Sequence, residues 1–451
     1  MKQSKKITLS TTHIIMLSFI CAVIVGSILL SLPLSSATGE AVPYIDALFT
    51  AVTSTCVTGL VTVTTADTWS VFGQTVILLL IQAGGLGIIT VMSGIMLIIN
   101  KRFGLNDSVL IQDAFNLNTL SGLSAFVRRV FAGTAVIEGI GALLYMTVFV
   151  PEYGVRGIWI SVFNSVSAFC NAGIDIIGSE SLCSYVTNPV INLVTCALII
   201  MGGIGYIVWW DVIRVLKKHR GRKLFRFLTL QSKLAIVSTA VLIFSGAVLI
   251  FIFEYSNNST VGSFNIFEKI QFSLFQSVTT RTAGFATVPQ ENLTDSSAMV
   301  CLLLMFIGGS PVGTAGGIKT VTFAVLLIAA FSAIRNKNST EIFSRAISVR
   351  TVRKALSVTV MSFGIMAVST VLLSAVTDAD ALDVVYETVS ATATVGLTRN
   401  LTSALDTVGK IIIMITMYLG RVGPISLAVA FNLRKENLNT VRCPEEEISV
   451  G

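Results

Sequence analysis

The chain has 451 residues and a net charge of +7, with 53% hydrophobic and only 12% charged residues. That charged fraction is about half of what a typical soluble domain carries, which excludes an ordinary soluble protein. Seven cysteines without a CxxC pair and only two histidines, His13 and His219, leave little material for a disulfide framework, a histidine metal site or a catalytic triad.

Eight runs that are almost free of charge are each long enough to cross a bilayer, which takes roughly 20 helical residues. In chain order they cover 14–33, 70–100, 130–150, 187–210, 234–253, 296–334, 355–377 and 407–433. The first run is longer than the apolar core of a secretory signal, so we interpret it as a span. The sequence therefore predicts an all-α integral membrane protein that crosses the membrane several times.

Lysine and arginine are concentrated between alternate spans. The N-terminus, 101–129, 214–233, 335–354 and the tail from 434 hold 3, 4, 8, 6 and 3 of the 31 basic residues. If the spans alternate, all five segments lie on one face, and the positive-inside rule makes that face cytoplasmic. Both termini are thus predicted to be cytoplasmic, and the basic charge is explained by a lipid bilayer without any nucleic-acid partner.

Four short stretches on the opposite face are too short to cross the membrane and too apolar for ordinary loops. Each begins with an aromatic residue, contains Val followed by Ser or Thr, and ends in Gly before an apolar residue. They are "FTAVTSTCVTGL" (49–60), "FNSVSAFCNAGI" (163–174), "FQSVTTRTAGF" (275–285) and "YETVSATATVGL" (386–397). Their glycines, Gly59, Gly173, Gly284 and Gly396, are 114, 111 and 112 residues apart. Ordinary Thr-Gly turns would not recur at a nearly constant spacing. The spacing of the four glycines therefore predicts a fourfold internal repeat.

A second landmark, a glycine cluster in the following span, keeps the same period. The clusters are "GGLG" from Gly84, "GGIG" from Gly202, "GGSPVG" from Gly308 and "GRVG" from Gly420. Each repeat is then span, re-entrant stretch, span, and the predicted repeats are 10–100, 124–216, 230–334 and 354–433, followed by a cytoplasmic tail, 434–451. Parallel repeats of this kind surround an axis along the membrane normal.

Irregular backbone is tolerated at membrane depth only where it is buried in protein or lines water. Four such stretches around one axis would form a ring of carbonyls that can replace the hydration shell of a monovalent cation. Glycine suits the end of each stretch because it reaches positive φ without a Cβ clash. The predicted filter residues are Val57, Thr58, Gly59, Asn171, Ala172, Gly173, Thr282, Ala283, Gly284, Thr394, Val395 and Gly396.

These single-glycine stretches, together with "GGSPVGTAGGIKT" and the late arginine in "GRVGPISL", resemble the Trk/Ktr/HKT superfamily of cation transporters from about residue 10 to 433. Eight spans, without an extra N-terminal pair, make the chain most similar to the membrane subunit of a bacterial Ktr potassium-uptake system. The resemblance implies a pseudo-fourfold fold similar to K⁺ channels, with a central pore in each subunit of a homodimer in the bacterial cell membrane.

The resemblance also implies an octameric cytosolic ring of RCK-type regulatory subunits. This chain contains no GxxxxGK[ST] sequence and no strand-and-helix frame for a dinucleotide, so ATP or ADP is expected on that partner. No cofactor is expected in this chain. K⁺ is the expected substrate, and activation by Na⁺ is left open.

Five glycines and Pro311 between 308 and 317 interrupt the 296–334 run. Glycine costs about 1 kcal/mol and proline about 3 kcal/mol in a helix interior, so we predict two half-helices joined by an irregular loop. Close helix packing is the alternative explanation for the glycines.

Arg421 stands alone in the last span, 25 residues after Gly396, and Gly309 lies 25 residues after Gly284. We therefore predict that loop and arginine form one constriction, and the superfamily gives them the same role. The predicted gate residues are Gly308, Gly309, Ser310, Pro311, Val312, Gly313, Thr314, Ala315, Gly316, Gly317, Lys319 and Arg421. The alternative for Arg421 is an ion pair with Glu138.

The third stretch has one residue fewer between Val278 and Gly284 than its counterparts have, and it carries Arg281. We interpret Arg281 as a structural anchor; the alternative is that its charge repels cations.

The predicted function is gated K⁺ uptake. A Na⁺-selective or Na⁺-coupled carrier is the alternative, and a membrane-embedded enzyme is a remote alternative. Glycine at all four positions favours K⁺, because in the superfamily a serine at the first position goes with Na⁺ transport. Enzyme activity is not expected, since the spans supply few acid–base groups.

Overall fold

The computed structural model describes residues 11–99, 123–218, 224–337 and 339–423, and the helices account for most of these residues. The four longest helices are Thr11–Leu30, Leu123–Tyr153, Leu230–Glu254 and Val349–Ser374. Eleven shorter ones are Tyr44–Cys56, Val71–Leu86, Ile88–Ile98, Val155–Cys170, Pro189–Gly203, Tyr206–Lys218, Ile266–Thr279, Asp295–Phe306, Thr320–Ile334, Ala381–Ala393 and Thr407–Val422. One-turn helices cover Thr65–Thr68 and Leu224–Phe227. The strands Thr340–Ile342 and Arg345–Ile347 form an antiparallel hairpin that pairs Thr340 with Ile347.

Four helices in the described ranges are long and apolar enough to cross a membrane, and two bent helix pairs raise that number to six. The predicted 296–334 span is divided, as expected, into Asp295–Phe306 and Thr320–Ile334 with irregular backbone between them. The last helix ends at Val422, and the rest of the predicted 407–433 span and the tail lie outside the described residues.

The helices follow one order four times. A long helix is followed by a shorter one that ends in one of the four glycine stretches, which we call a loop helix, and then by a second helix. The loop helices are Tyr44–Cys56, Val155–Cys170, Ile266–Thr279 and Ala381–Ala393, and the second helices begin with Val71–Leu86, Pro189–Gly203, Asp295–Phe306 and Thr407–Val422. We number these units one to four in chain order.

In each of the four units, a side-chain cap fixes where the second helix begins. The side chains of Ser70, Asn188, Thr294 and Asp406 each accept a hydrogen bond from a backbone amide in the first turn. Such caps satisfy amides that have no partner within the helix, which stabilises the helix by about 1 kcal/mol each. The four second helices therefore start at equivalent points.

Packing between units runs in one direction around the molecule. The second helices of units one, two and three each contact the loop helix of the next unit, and that of unit four contacts the loop helix of unit one. Lys410 and Asp46 form an ion pair at 2.7 Å across this last contact. The units thus close into a cycle.

Two second helices bend within the predicted spans 70–100 and 187–210. Val71–Leu86 and Ile88–Gly94 meet at 100°, and Pro189–Gly203 and Tyr206–Lys218 meet at 95°. The bends lie at Gly87 and Gly205, whose φ angles of 85° and 94° are open to glycine and unfavourable for other residues. The sequence analysis predicted a break at 308–317 and did not predict these two bends, which arise because the last glycine of each of these two clusters leaves the helical conformation.

The first glycine of three clusters lies against the end of its own loop helix. A Cβ atom on Gly84, Gly202 or Gly420 would overlap the carbonyl oxygen of Thr55, Phe169 or Thr392, respectively. Each of these carbonyls belongs to the residue four positions before the glycine that ends the stretch. The regular spacing of the clusters therefore reflects close packing of each second helix on the last turn of its loop helix.

Candidate functional site

The four glycine stretches have the same backbone conformation. The residue two positions before the glycine is left-handed in each, with φ of 57°, 60°, 63° and 51° at Val57, Asn171, Thr282 and Thr394. The glycines have φ of 101°, 64°, 84° and 100° at Gly59, Gly173, Gly284 and Gly396. Three of the four left-handed residues are β-branched, which is an unfavourable conformation that persists only when the surroundings enforce it.

The four glycines lie against one another in a closed ring. Each packs on the carbonyl oxygen of the residue that precedes the next glycine. A Cβ on Gly59 would meet the oxygen of Ala172, one on Gly173 that of Ala283, one on Gly284 that of Val395, and one on Gly396 that of Thr58. No side chain of any size fits at these positions. All twelve predicted filter residues are buried or nearly so, and the structure brings the four glycines and the residues that precede them together in the ring.

The segment between Phe306 and Thr320 crosses next to this ring, and we call it the glycine-rich loop. It is hydrogen bonded to the second helix of unit two, because the Ser310 amide donates to Gly203 at 2.8 Å and the Val312 carbonyl accepts from the Tyr206 amide at 2.9 Å. The side-chain hydroxyls of Ser310 and Thr320 close the loop at 2.8 Å. The predicted gate loop is thus irregular backbone that is held by hydrogen bonds between two half-helices.

Arg421 lies on the glycine-rich loop. Its Nη1 donates to the Thr314 carbonyl at 2.7 Å and its Nη2 donates to the Gly84 carbonyl, so it joins the loop to unit one. Lys319 Nζ donates to the Ala315 carbonyl at 2.6 Å. The structure therefore brings both basic residues of the predicted gate, Arg421 and Lys319, to the loop.

Glu138, the alternative partner for Arg421, lies elsewhere. Its carboxylate accepts a hydrogen bond from Gln82 Nε2 at 3.3 Å and is close to Cys170 Sγ. The ion pairs found between described residues are Arg214–Asp211, Arg399–Asp383 and Lys410–Asp46. Within the described ranges Arg421 is thus held by carbonyl oxygens, and the alternative of an ion pair with Glu138 is wrong.

Arg281 also contacts the loop. Its Nη2 donates to the Gly308 carbonyl at 3.1 Å, and the side chain is buried, with 5% of its surface exposed. This contact fits the interpretation of Arg281 as an anchor, which remains a prediction.

Two cavities lie at the ring and at the loop. One, of about 460 Å³, is lined by all four ring glycines and by Asp175, Glu180 and Glu291. The other, of about 330 Å³, is lined by the glycine-rich loop, Lys319 and Arg421. We call them the glycine-lined and the arginine-lined cavity.

Burial raises the pKa of the Asp175 carboxyl above its ordinary value, although hydrogen bonds from Ser181 and from backbone amides oppose this. Its negative charge is therefore lost at a higher pH than that of an exposed aspartate.

A family model described as "TrkH: Cation transport protein" matches residues 2–441. The chain belongs to this family. It is 39% identical to the Ktr system potassium uptake protein B of Bacillus subtilis, covering 100% of this chain and 99% of that protein. It is 37% identical to the potassium/sodium uptake protein NtpJ of Enterococcus hirae, with the same coverage. The crystal structure of the potassium transporter TrkH from Vibrio parahaemolyticus superposes with a TM-score of 0.74 at 15% identity, covering 94% of this chain and 86% of that one, which shows a shared fold.

In this TrkH-family chain, the Ser or Thr that follows Val in each stretch has a role that the sequence analysis missed. In all four units its backbone carbonyl accepts from the residue before the ring glycine: Thr53 from Thr58, Ser167 from Ala172, Thr279 from Ala283 and Ser390 from Val395, at 2.8 to 2.9 Å. The shared Val-Ser/Thr pair was the available sign of this role.

The hydroxyls of these residues divide the units into two pairs. In units one and four, Thr53 and Ser390 accept from the amides of Gly59 and Gly396, both at 3.0 Å. In this pair the hydroxyl fixes the amide of the ring glycine itself.

In units two and three the hydroxyls donate instead. Ser167 donates to the Ile174 carbonyl at 2.5 Å and Thr279 to the Phe285 carbonyl at 2.7 Å, each one residue beyond the ring glycine. Thr279 makes this bond although the third stretch is one residue shorter. Its loop helix ends at Thr279 itself, so the hydrogen bond from the Ala283 amide to the Thr279 carbonyl spans four residues instead of five. The missing residue is thus absorbed before the ring.

Proposed function

We propose that this chain takes up potassium ions across the cell membrane through the ring formed by Gly59, Gly173, Gly284 and Gly396. The observation that carries the proposal is the closed cycle of contacts between each glycine and the carbonyl that precedes the next one. Four backbone segments held this close around one axis offer oxygens from all sides to a dehydrated cation. The potassium uptake named for the Bacillus relative supports the same substrate.

The proposed fold is four parallel repeats, 10–100, 124–216, 230–334 and 354–433, arranged pseudo-fourfold around one central pore. Its support is the recurring order of helices and their cyclic packing. Eight crossings with both termini in the cytoplasm would place the glycine-lined cavity outside. Three carboxylates line that cavity and attract hydrated cations toward the ring, where the cations would give up their hydration shell.

The glycine-rich loop and Arg421 form the proposed gate. The loop is bonded to two of the glycine stretches and also lines the arginine-lined cavity, and its carbonyls hold Arg421 and Lys319 in place. Positive charge beside a narrow path raises the free energy of a passing cation, because little water is present to screen it. The gate therefore combines a steric and an electrostatic barrier.

The predicted partners belong to the same proposal. We propose a homodimer in the bacterial membrane, controlled by an octameric ring of cytosolic RCK-type subunits that bind ATP or ADP. The Ktr system names of relatives support a multi-component assembly. This chain would then need no cofactor of its own.

A second candidate is Na⁺-selective or Na⁺-coupled transport, which the name of the Enterococcus relative favours. Against it stands the ring itself, since glycine occupies all four positions. The two candidates differ in the ratio of K⁺ to Na⁺ flux.

Growth tests the proposed function. The wild-type chain, expressed with its cytosolic partner in a bacterium that lacks potassium uptake, is expected to restore growth at low K⁺. Flame photometry of cell K⁺ and Na⁺ should show K⁺ gain. Failure to restore growth, with the chain present in the membrane by immunoblot, would contradict the proposal, and gain of Na⁺ alone would favour the second candidate.

The ring-fixing hydroxyls provide a further prediction. Ser390→Ala removes the hydroxyl that accepts from the Gly396 amide and leaves a buried donor without a partner, which costs about 1–3 kcal/mol. We expect the K⁺ to Na⁺ flux ratio in liposomes to fall about fivefold. The matched control is Ser374→Ala, because the exposed Ser374 hydroxyl bonds only to Val371 in its own helix. An unchanged ratio in Ser390→Ala would argue against the hydroxyl's role.

A further inference from the structure

Among the four left-handed residues two positions before the ring glycines, Asn171 is the one that carries an amide side chain. Asn171 is buried, with 1% of its surface exposed. Its Oδ1 accepts from the Thr314 hydroxyl at 3.2 Å, and its Nδ2 donates to the Arg281 carbonyl at 3.5 Å. One planar amide thus connects the second stretch with the third stretch and with the glycine-rich loop.

The loop is bound to the ring at further points. The Thr314 hydroxyl shares its single hydrogen between Asn171 and the Phe169 carbonyl, which lies at 3.0 Å. The Gly316 amide donates to Thr282 Oγ1 at 3.1 Å. The loop is therefore bonded to the two stretches of units two and three.

These bonds form a closed circuit. It runs from Thr314 through the Asn171 amide to the Arg281 carbonyl, and from the Arg281 guanidinium to the Gly308 carbonyl at the start of the loop. Thr314, Asn171 and Arg281 are all buried. Buried polar groups that lose a partner are costly, so the loop cannot leave its position without disturbing the circuit.

We propose that Asn171 is a positioning residue that couples the glycine-rich loop to the ring, so that the position of the loop sets ion selectivity as well as flow. This inference rests on the proposed function. When the loop moves away, Asn171 loses Thr314, and the left-handed backbone two residues before Gly173 loses one of its supports. Because such coupling is reciprocal, a ring occupied by K⁺ would in turn favour one position of the loop.

A double-mutant cycle tests the coupling. The full chain with its cytosolic partner is reconstituted in liposomes, and K⁺ and Na⁺ fluxes are measured for wild type, Asn171→Gly, Thr314→Val and the double variant. Glycine keeps the left-handed backbone and removes the whole side chain together with its amide. Each single variant is expected to raise the Na⁺ to K⁺ flux ratio about fivefold, and the double variant by clearly less than the product of the two, because the contact between Asn171 and Thr314 is lost in each.

Two more variants sharpen the result. Asn171→Asp retains the acceptor for Thr314 and loses the donor to Arg281, so a ratio between wild type and Asn171→Gly is expected. Asn171→Ala, which has no amide, replaces glycine in the cycle if the glycine variant does not fold. Thr75→Val, which removes an exposed hydroxyl bonded only to Val71 of its own helix, serves as the control and is expected to match wild type.

The outcomes separate the coupling from the function. Effects that multiply in the double variant, or flux ratios that remain at the wild-type value, would overturn the coupling while K⁺ uptake by wild type still stands. Absence of K⁺ flux in wild type would instead overturn the proposed function.

Discussion

Deletion of Val312 to Ala315 is expected to raise K⁺ flux about tenfold and to make it independent of the cytosolic partner. A tenfold change corresponds to a barrier lowered by about 1.4 kcal/mol. The deletion removes the Thr314 carbonyl that holds Arg421, the Ala315 carbonyl that holds Lys319 and the Val312 carbonyl bound by the Tyr206 amide. Steric closure is thereby lost, and the positive charges of Arg421 and Lys319 are no longer held in place.

Flux in liposomes, measured with and without the partner, checks this expectation. Arg421→Ala retains the loop and should give a smaller increase that still responds to the partner. Arg156→Ala is the control, since that arginine is exposed at the start of a loop helix, away from the glycine-rich loop. Flux through the deletion variant that remains at the wild-type level and still depends on the partner would rule out the loop as a gate.

The second large effect is expected for Gly59→Ser, in which preference for K⁺ over Na⁺ should fall at least about tenfold, or ~1.4 kcal/mol of discrimination. Gly59 has φ of 101°, which serine rarely adopts, and a Cβ there would overlap the Ala172 carbonyl oxygen. To relieve the overlap, the neighbouring carbonyl must move, and the spacing of oxygens around the ion changes.

Competition between K⁺ and Na⁺ for uptake measures this preference. Gly364→Ser is the matched control, because a Cβ at Gly364 meets no atom within 4 Å. If Gly59→Ser retained the wild-type preference in correctly folded protein, the assignment of the ring as selectivity filter would be untenable.

The sequence alone predicted those elements whose glycine motifs repeat along the chain. The ring glycines and the glycine clusters recur at a fixed period, and family membership, predicted from them, is confirmed by the match over residues 2–441. Arg421 was predicted at the depth of the loop from one matching offset, and the structure places its guanidinium on the Thr314 carbonyl. The fourfold repetition identified the glycines because four copies at one period exclude chance, whereas the prediction for Arg421 depended on a single offset.

Other features depend on contacts that no spacing encodes. The bends at Gly87 and Gly205 require positive φ at one glycine of each cluster, whereas glycines inside apolar runs are equally compatible with straight, closely packed helices. The Ser or Thr after Val was noticed without a role, because its hydroxyl meets a partner six or seven residues away only once the loop has turned back. Asn171 reaches Thr314 across 143 positions of the chain, which is a matter of tertiary packing.

The cyclic contact of the ring glycines also limits how such a protein can evolve. Since each glycine touches the carbonyl that precedes the next, and the last touches the first, a change in one quarter displaces a neighbour on either side. Exchange of a single stretch with that of a relative should therefore be tolerated less well than exchange of all four together. If the ring sets ion preference, that preference belongs to all four stretches together, and no single stretch can change it alone.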